Sequence, residues 1–426
     1  VRPGAAHLPL AAALVAALAA WLGPLSARAG EVPPDDLQRG LFLQHTLGEL
    51  DGALAAYAAA LEGLPPGPAT DALRLRRAEC LAWRGDGAGV AEALGPLRQR
   101  AVEGGAEAAL LGLPAGVAAA LAIDLGRLRA TPWGGELVGE ALRALERALG
   151  SRPGLRLTEL RRVLLALELT EGERALDGWL LSLEGGLERA APAELLALGL
   201  AAWQALEPRL RSAPGPALEL ASLAAAAARV SPAAREDVDG VELLLAPSGR
   251  AGADGRPERL GVARVGQGSL LLGEEGLLRR ALRSRAGTSL GLLGEPRMLG
   301  LARRVHAEAA FFLLAAPQPL AAQARRLDVD LGGAAFGLSG LLLEGRAGDA
   351  LGLRAVAFAE DAESVRILGD LARGALALLR LATGSEPGLP EEVRGLLAGL
   401  AIGAEERALT LELGLPAAWL ARLSGR

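Results

Sequence analysis

The sequence predicts an α+β protein: N-terminal α-helical hairpins, then antiparallel sheet with helices packed on one face, the sheet-bearing unit occurring twice. Three observations lead there. Between residues 35 and 97 the apolar residues recur at helical spacing, punctuated by Gly and Pro. From about residue 105, short apolar runs of strand length join through Gly-containing turns and alternate with helix-length stretches, the order expected of antiparallel sheet with helices. The features of one hairpin then recur 176 residues later: Leu165, Leu167, Glu168, Gly172, Glu184 and Leu195 correspond to Leu341, Leu343, Glu344, Gly348, Glu360 and Leu371.

The chain opens with Arg2, an uncharged run from Leu8 to Leu25, and the small residues Ala27 and Ala29 around Arg28. A charged start, an apolar middle and an A-x-A site form a secretory signal, so residues 1–29 are expected to be removed and the mature chain to begin near Gly30, the alternative being an uncleaved signal anchor. No later apolar run is long enough for a bilayer-spanning helix, so the expected place of work is periplasmic or extracellular, off the membrane. Cys80 is the single cysteine, so no disulfide can form within the chain, and a buried, unreactive thiol on a helix is expected.

There is no Lys and no Asn, and all the basic side-chain charge is Arg, as a GC-rich coding sequence would produce. Net charge is −5, with no basic run interleaved with aromatics, so no nucleic-acid partner is expected. Without Lys there is no phosphate-binding P-loop, and no Gly-rich dinucleotide fingerprint follows a strand.

Residues 30–104 form the helical segment. Gly48, Ala53, Tyr57, Ala60 and Pro65 have the spacing of the second half of a tetratricopeptide repeat, which this stretch resembles. Its first half departs from the family, with Leu37 where Trp is usual and Gln44 where Tyr is usual. A second, weaker unit spans Leu73–Leu97 with Gly85 in its turn. The resemblance implies close-packed helix pairs offering a groove to a peptide or protein partner. Two units are fewer than a solenoid needs, so the segment is expected to dock on the rest of the chain, with Tyr57 and Leu81 packed inside.

Residues 105–285 form the first α+β unit. A strand is expected near Ile123. Thr131 and Pro132 then start a helix as N-cap and first residue. A hairpin, Val163–Leu169 and Leu176–Leu183, precedes the helix Glu188–Leu206 and a further helical stretch, Ala217–Val230. Strands follow at Val241–Ala246, Leu260–Val265 and Ser269–Leu272, and the helix Glu274–Leu282 closes the unit. Residues 286–426 repeat this order: helix Pro296–His306, strand Ala309–Ala316, hairpin Leu338–Glu344 and Leu351–Ala359, helices Ala362–Thr383 and Pro390–Leu400, then a strand and a final helix. In that last strand Leu409, Leu411, Leu413 and Leu415 alternate with Thr410, Glu412 and Gly414, one face buried and one wet. Residues 105–426 resemble exported bacterial proteins built from repeated helix-strand-hairpin-helix units, a class for which the resemblance implies no activity.

Few residues offer chemistry. Gly287, Ser289 and Gly291 match the G-x-S-x-G nucleophile elbow of hydrolases, which requires a strand before the Ser and a helix after it. Here a helix precedes it, and only His306 follows, with Glu295 the acid between them; a Gly-rich loop is the expected reading. His7 leaves with the signal, and His45 and His306 lack metal-ligand spacing. Glu236, Asp237 and Asp239 resemble the start of a calcium loop, but Ser248 stands where the bidentate Glu belongs, so a solvated turn is expected. Arg325, Arg326, Asp328 and Asp330 read as a self-compensating surface. Trp21, Trp83, Trp133, Trp179, Trp203 and Trp419 are scattered and read as core filling. No catalytic, cofactor-binding or metal-ligating residue and no cofactor is assigned. The expected function is a non-enzymatic binding or scaffold protein with a protein or peptide partner; the alternatives are a serine hydrolase built on Ser289 and a binder of a small apolar ligand.

Overall fold

The computed structural model describes residues 39–40, 43–44, 48–62, 68–103, 110, 112–149, 156–169, 176–187, 190–200, 234–251, 257–266, 268–317, 338–385, 391–405, 407–417 and 419–420. The signal-like run, His45, the helical stretch Ala217–Val230, the turn at Gly172, and Asp328 and Asp330 lie outside them.

Among the described residues, helical positions at 39–40 and 43–44 precede the helices α1 (Leu50–Leu61), α2 (Pro68–Trp83) and α3 (Gly87–Glu103). Gly48 and Gly85, at φ 69° and 74°, make the left-handed turns before α1 and between α2 and α3, where a side chain would be strained. Asp86 caps α3 by accepting from the backbone N–H of Gly89 at 2.9 Å. Tyr57 is wholly buried with Ala53, Ala60, Leu73 and Cys80. Its hydroxyl donates to Gln44 Oε1 at 2.7 Å, and Gln44 Nε2 donates to Glu79 at 3.3 Å. The Gln that departs from the repeat pattern therefore satisfies the buried tyrosine hydroxyl.

The remainder builds one antiparallel sheet of 12 strands in the order β11-β12-β10-β9-β8-β1-β2-β3-β7-β6-β5-β4. The strands are β1 (Ala119–Asp124), β2 (Arg162–Leu169), β3 (Leu176–Glu184), β4 (Ala234–Val238), β5 (Val241–Ala251), β6 (Pro257–Arg264), β7 (Ser269–Glu274), β8 (Ala309–Ala315), β9 (Leu338–Ala347), β10 (Ala350–Ala359), β11 (Ala401–Glu405) and β12 (Ala408–Pro416). The helices are α4 (Leu125–Arg129), α5 (Pro132–Leu149), α6 (Glu275–Ala286), α7 (Pro296–Ala302), α8 (Ala362–Ser385) and α9 (Glu391–Gly399), with a helical stretch over 192–200. Thr131 caps α5 as expected, its Oγ1 accepting from Gly134 N at 3.0 Å.

The strand runs expected from sequence stand. The sequence reading omitted β4 and β11, both short edge strands, and α7 stops four residues before His306. β1 and β8 pair at the centre, with Ala122 opposite Phe312. Outward from that pair the order is β1-β2-β3-β7-β6-β5-β4 on one side and β8-β9-β10-β12-β11 on the other. The two hairpins share their register: Leu165 pairs with Leu181, and Leu341 with Ala357, each 176 residues later.

The α+β class and the antiparallel sheet are as expected. The placing of helices on one face is corrected. On one face Leu164, Ala166, Leu180, Phe312, Leu342 and Phe358 pack with Leu278, Leu282 and Leu301 of α6 and α7. On the other, Trp179, Leu244, Val262 and Leu272 pack with Leu195 and Leu196 of the 192–200 helix and with Val138 and Leu142 of α5, while α8 covers Ala357 and Leu409. The reason is legible in the strands. The unbroken run Leu243 to Ala246, and Leu270 to Leu272, are apolar on both sides, which only a sheet covered on both faces accommodates.

The helical segment docks through α2 and α3. Leu299 of α7 joins Ala78, Leu81, Val90 and Leu94 in one cluster, with Leu290 beside it.

Candidate functional site

Helix α8 starts at a built cap. Asp361 Oδ1 accepts from the backbone N–H of Ser364 at 2.7 Å, and the Ser364 hydroxyl donates to Oδ2 at 3.0 Å. These hydrogen bonds, the backbone one foremost, hold the Asp361 carboxyl below its ordinary range. Val365, Leu368 and Leu376 are buried, at helical spacing, and Leu368 and Ala372 meet Leu341, Ala357, Ile402 and Leu409 of the sheet. The outer side of the helix carries a row of large apolar side chains beside charged ones. Ile367, Leu371, Leu378 and Leu381 are 36%, 42%, 69% and 70% exposed. Their spacing of four, seven and three keeps them on one side of the helix. Among the described residues, six large apolar side chains stand out into water, and five of them, Leu379 included, are on α8; the other is Trp83. Arg380 donates to the carbonyls of Leu397, Ala398 and Leu400 at 3.0 to 3.1 Å, so α9 is tied to the end of the same surface.

The opposite face of the same half-sheet carries a groove of about 480 Å³. Arg297, Gly300, Leu301 and Arg304 line it from α7 and the turn after it, Phe358, Ala359 and Glu360 from the end of β10, Ser339 from β9, and Arg407 from the turn into β12. The Arg304 guanidinium lies over the Phe358 ring, 4.6 Å from its centroid. The Ala359 N–H donates to the Arg407 carbonyl at 2.9 Å, which fixes that turn beside β10.

Farther along β9 and β10 is a charged cluster. Glu344, 0% exposed, accepts from the His306 backbone N–H at 2.9 Å, from the His306 ring Nδ1, and from Arg354 at 3.1 Å. Burial pushes its carboxyl up, but these donors outweigh burial and hold it below the ordinary range. On the matching position of β2, Glu168 meets Arg280 at 2.6 Å. Glu344 is wholly buried and needs a cation, while Glu168 stays partly exposed; the Glu344 cluster is a satisfied structural one.

The residues singled out in the sequence are scattered. Ser289 follows the C-terminus of α6, where Gly287 is left-handed at φ 89°, and a 3-10 turn over Gly291–Gly294 comes next. The strand-to-helix corner of a nucleophile elbow is not built there, and the hydrogen bonds of His306 go to Glu344. Cys80 is buried, its thiol pushed up to about 11 mainly by desolvation, the opposite of a reactive cysteine. Glu236 is held by Arg279 and by Arg259, and Asp237 closes the β4–β5 turn by accepting from Gly240 N at 3.0 Å. No group of three His, Cys, Asp or Glu side chains among the described residues could hold a metal ion. Trp179 fills the core, but Trp83 is 58% exposed, a correction to the core-filling expectation. Trp133 donates to the carbonyl of Gly348 at 2.9 Å, tying α5 to the turn of the second hairpin.

Sequence reasoning missed the outer row of α8 and the arginine groove. The row had a signal, since Ile367, Leu371 and Leu378 fall on a helix whose other side is also apolar. The groove had none, because its three arginines come from segments up to 110 residues apart.

No family model matches this chain, no curated protein matches it in sequence, and no solved structure matches its fold.

Proposed function

We propose that the chain is an exported, non-enzymatic binding protein that holds a protein partner through the outer face of α8. The supporting observation is the concentration of exposed large apolar side chains on that one helix. An exposed row of large apolar side chains marks a contact surface. The occupant that suits a row of Ile367, Leu371 and Leu378 is an amphipathic segment of a partner, laid along the row. The charges flanking the row are already satisfied: Asp370 pairs with Arg373 at 2.9 Å and Glu363 with Arg366 at 2.8 Å. They leave the apolar contact to provide affinity.

The test is site-specific cross-linking in the native host. A photoreactive residue at position 378 is expected to give one discrete adduct with a different protein in the exported fraction. Leu371→Glu is expected to abolish that adduct while the circular dichroism melt stays unchanged, because the side chain is exposed. An adduct between two copies of the chain, or none beyond that from a photoreactive residue at position 363, overturns the reading.

A further inference from the structure

We propose that the groove between α7 and the end of β10 is a binding site for a small organic dianion, a phosphate monoester carrying an apolar group. The site faces away from α8: Phe358 belongs to the core on the α7 side and its neighbour Ala357 to the core under α8, so this proposal stands apart from the partner proposed there.

Charge is the first argument. Arg297, Arg304 and Arg407 line the groove, with Glu360 the one carboxylate among its lining residues. Most arginines described in this chain have a carboxylate or carbonyl partner, and the chain as a whole is acidic. Among the described residues, these three have no carboxylate within ion-pair distance; Arg407 acts on Asp361 only through space. Three guanidinium groups lining one cleft give it a positive potential, and the planar guanidinium suits two oxygens of a phosphate or carboxylate.

Shape is the second argument. Gly300 lies on α7 between Arg297 and Arg304, and a Cβ there would meet nothing within 4 Å. Glycine inside a helix costs about 1 kcal/mol against alanine, and no packing inside the chain requires it here. It leaves the space between the two arginines open.

Chemistry of the floor is the third. Leu301, Phe358 and Ala359 form an apolar base, with the Ser339 hydroxyl beside it. The Phe358 ring fixes the Arg304 guanidinium from below, which reduces the ordering needed when a ligand arrives. At about 480 Å³ the groove is much larger than an inorganic anion and within the range of small-molecule sites. A ligand that satisfies three cations and covers this floor needs both a dianionic head and an apolar body.

The probe is 1-naphthyl phosphate, titrated into the full chain by calorimetry, with inorganic phosphate and 1-naphthol as the two halves of the ligand. The ester is expected to bind at least about tenfold more tightly than either half, and more weakly as salt is raised. Arg304→Gln and Arg407→Gln are each expected to weaken it by about tenfold or more, the loss of a charge-assisted contact. Gly300→Leu is expected to weaken it with every charge retained. Arg373→Gln, on the far side of the sheet, is expected to leave it unchanged. Absence of binding at about 1 mM ester, equal affinity for 1-naphthol, or unchanged affinity in variants that keep the parent circular dichroism melt overturns the proposal.

Discussion

Glu344 shows how much one residue on the buried side of a strand commits the chain to. Its strand, β9, alternates so that Leu338, Leu342 and Glu344 share the covered face, and a carboxylate there must find cations. It finds Arg354 directly across the hairpin, and hydrogen bonds from the backbone N–H and ring of His306 in the turn before β8. Removing one partner of a buried charge pair leaves the others unsatisfied, so Glu344→Gln is expected to destabilise the chain by about 3 kcal/mol at pH 7. The pH dependence follows from the direction of its shift. A carboxyl held below its ordinary value in the folded chain contributes fully above the unfolded value of about 4.3, and the contribution is lost as pH falls from there through the lower folded value. Urea melts at pH 7 and pH 3 are expected to show a smaller acid loss in Glu344→Gln than in the parent. An equal acid loss in both would place the acid sensitivity elsewhere.

At the scale of elements, the helical segment needs its neighbour. Helices α1 to α3 bury Tyr57, Leu73, Leu81 and Leu94, but the last cluster is completed by Leu299 of α7. Ordering the backbone costs roughly 1–2 kcal/mol per residue, and so small a core offsets little of it. A fragment of residues 30–104 is expected to show no cooperative melt by circular dichroism, while the full chain melts as a folded protein. Leu299→Ala, at the seam, is expected to cost about 2–5 kcal/mol and to make α1 to α3 the first part to lose hydrogen-exchange protection. A sharp transition in the short fragment would make the segment a self-standing domain.

At the scale of the whole molecule, the shared sheet makes the two halves one body. β1 and β8 pair along five residues at the centre, from Ala119 with Ala315 to Ile123 with Phe311. Each half is therefore the other's protection against an open edge, and separation would expose two apolar strands. The true edges are blunted. β4 carries Arg235, Glu236 and Asp237, and β11 is five residues long and largely exposed. Differential scanning calorimetry is expected to show the two halves unfolding in one transition, with calorimetric and van't Hoff enthalpies that agree. Two resolved transitions for the sheet would mean that the central pair is a weak joint.

Sequence by itself determined what is local and periodic. The hairpins at 162–184 and 338–359 and the alternation in β12 are present in the order of residues, because a strand's faces repeat every two positions. The turns at Gly48 and Gly85 are present because only glycine takes a left-handed backbone without strain. The parity that sets Glu168 on the face of Ala166, and Glu344 on the face of Leu342, was legible too. Tertiary structure alone decided that β1 and β8 join the halves into one sheet, that helices cover both faces, that Gln44 completes Tyr57, and that Arg297, Arg304 and Arg407 meet around one groove. Each of these depends on which surfaces find one another across long stretches of chain. That choice is made by the sum of burial over the whole molecule, and no spacing within one segment encodes it.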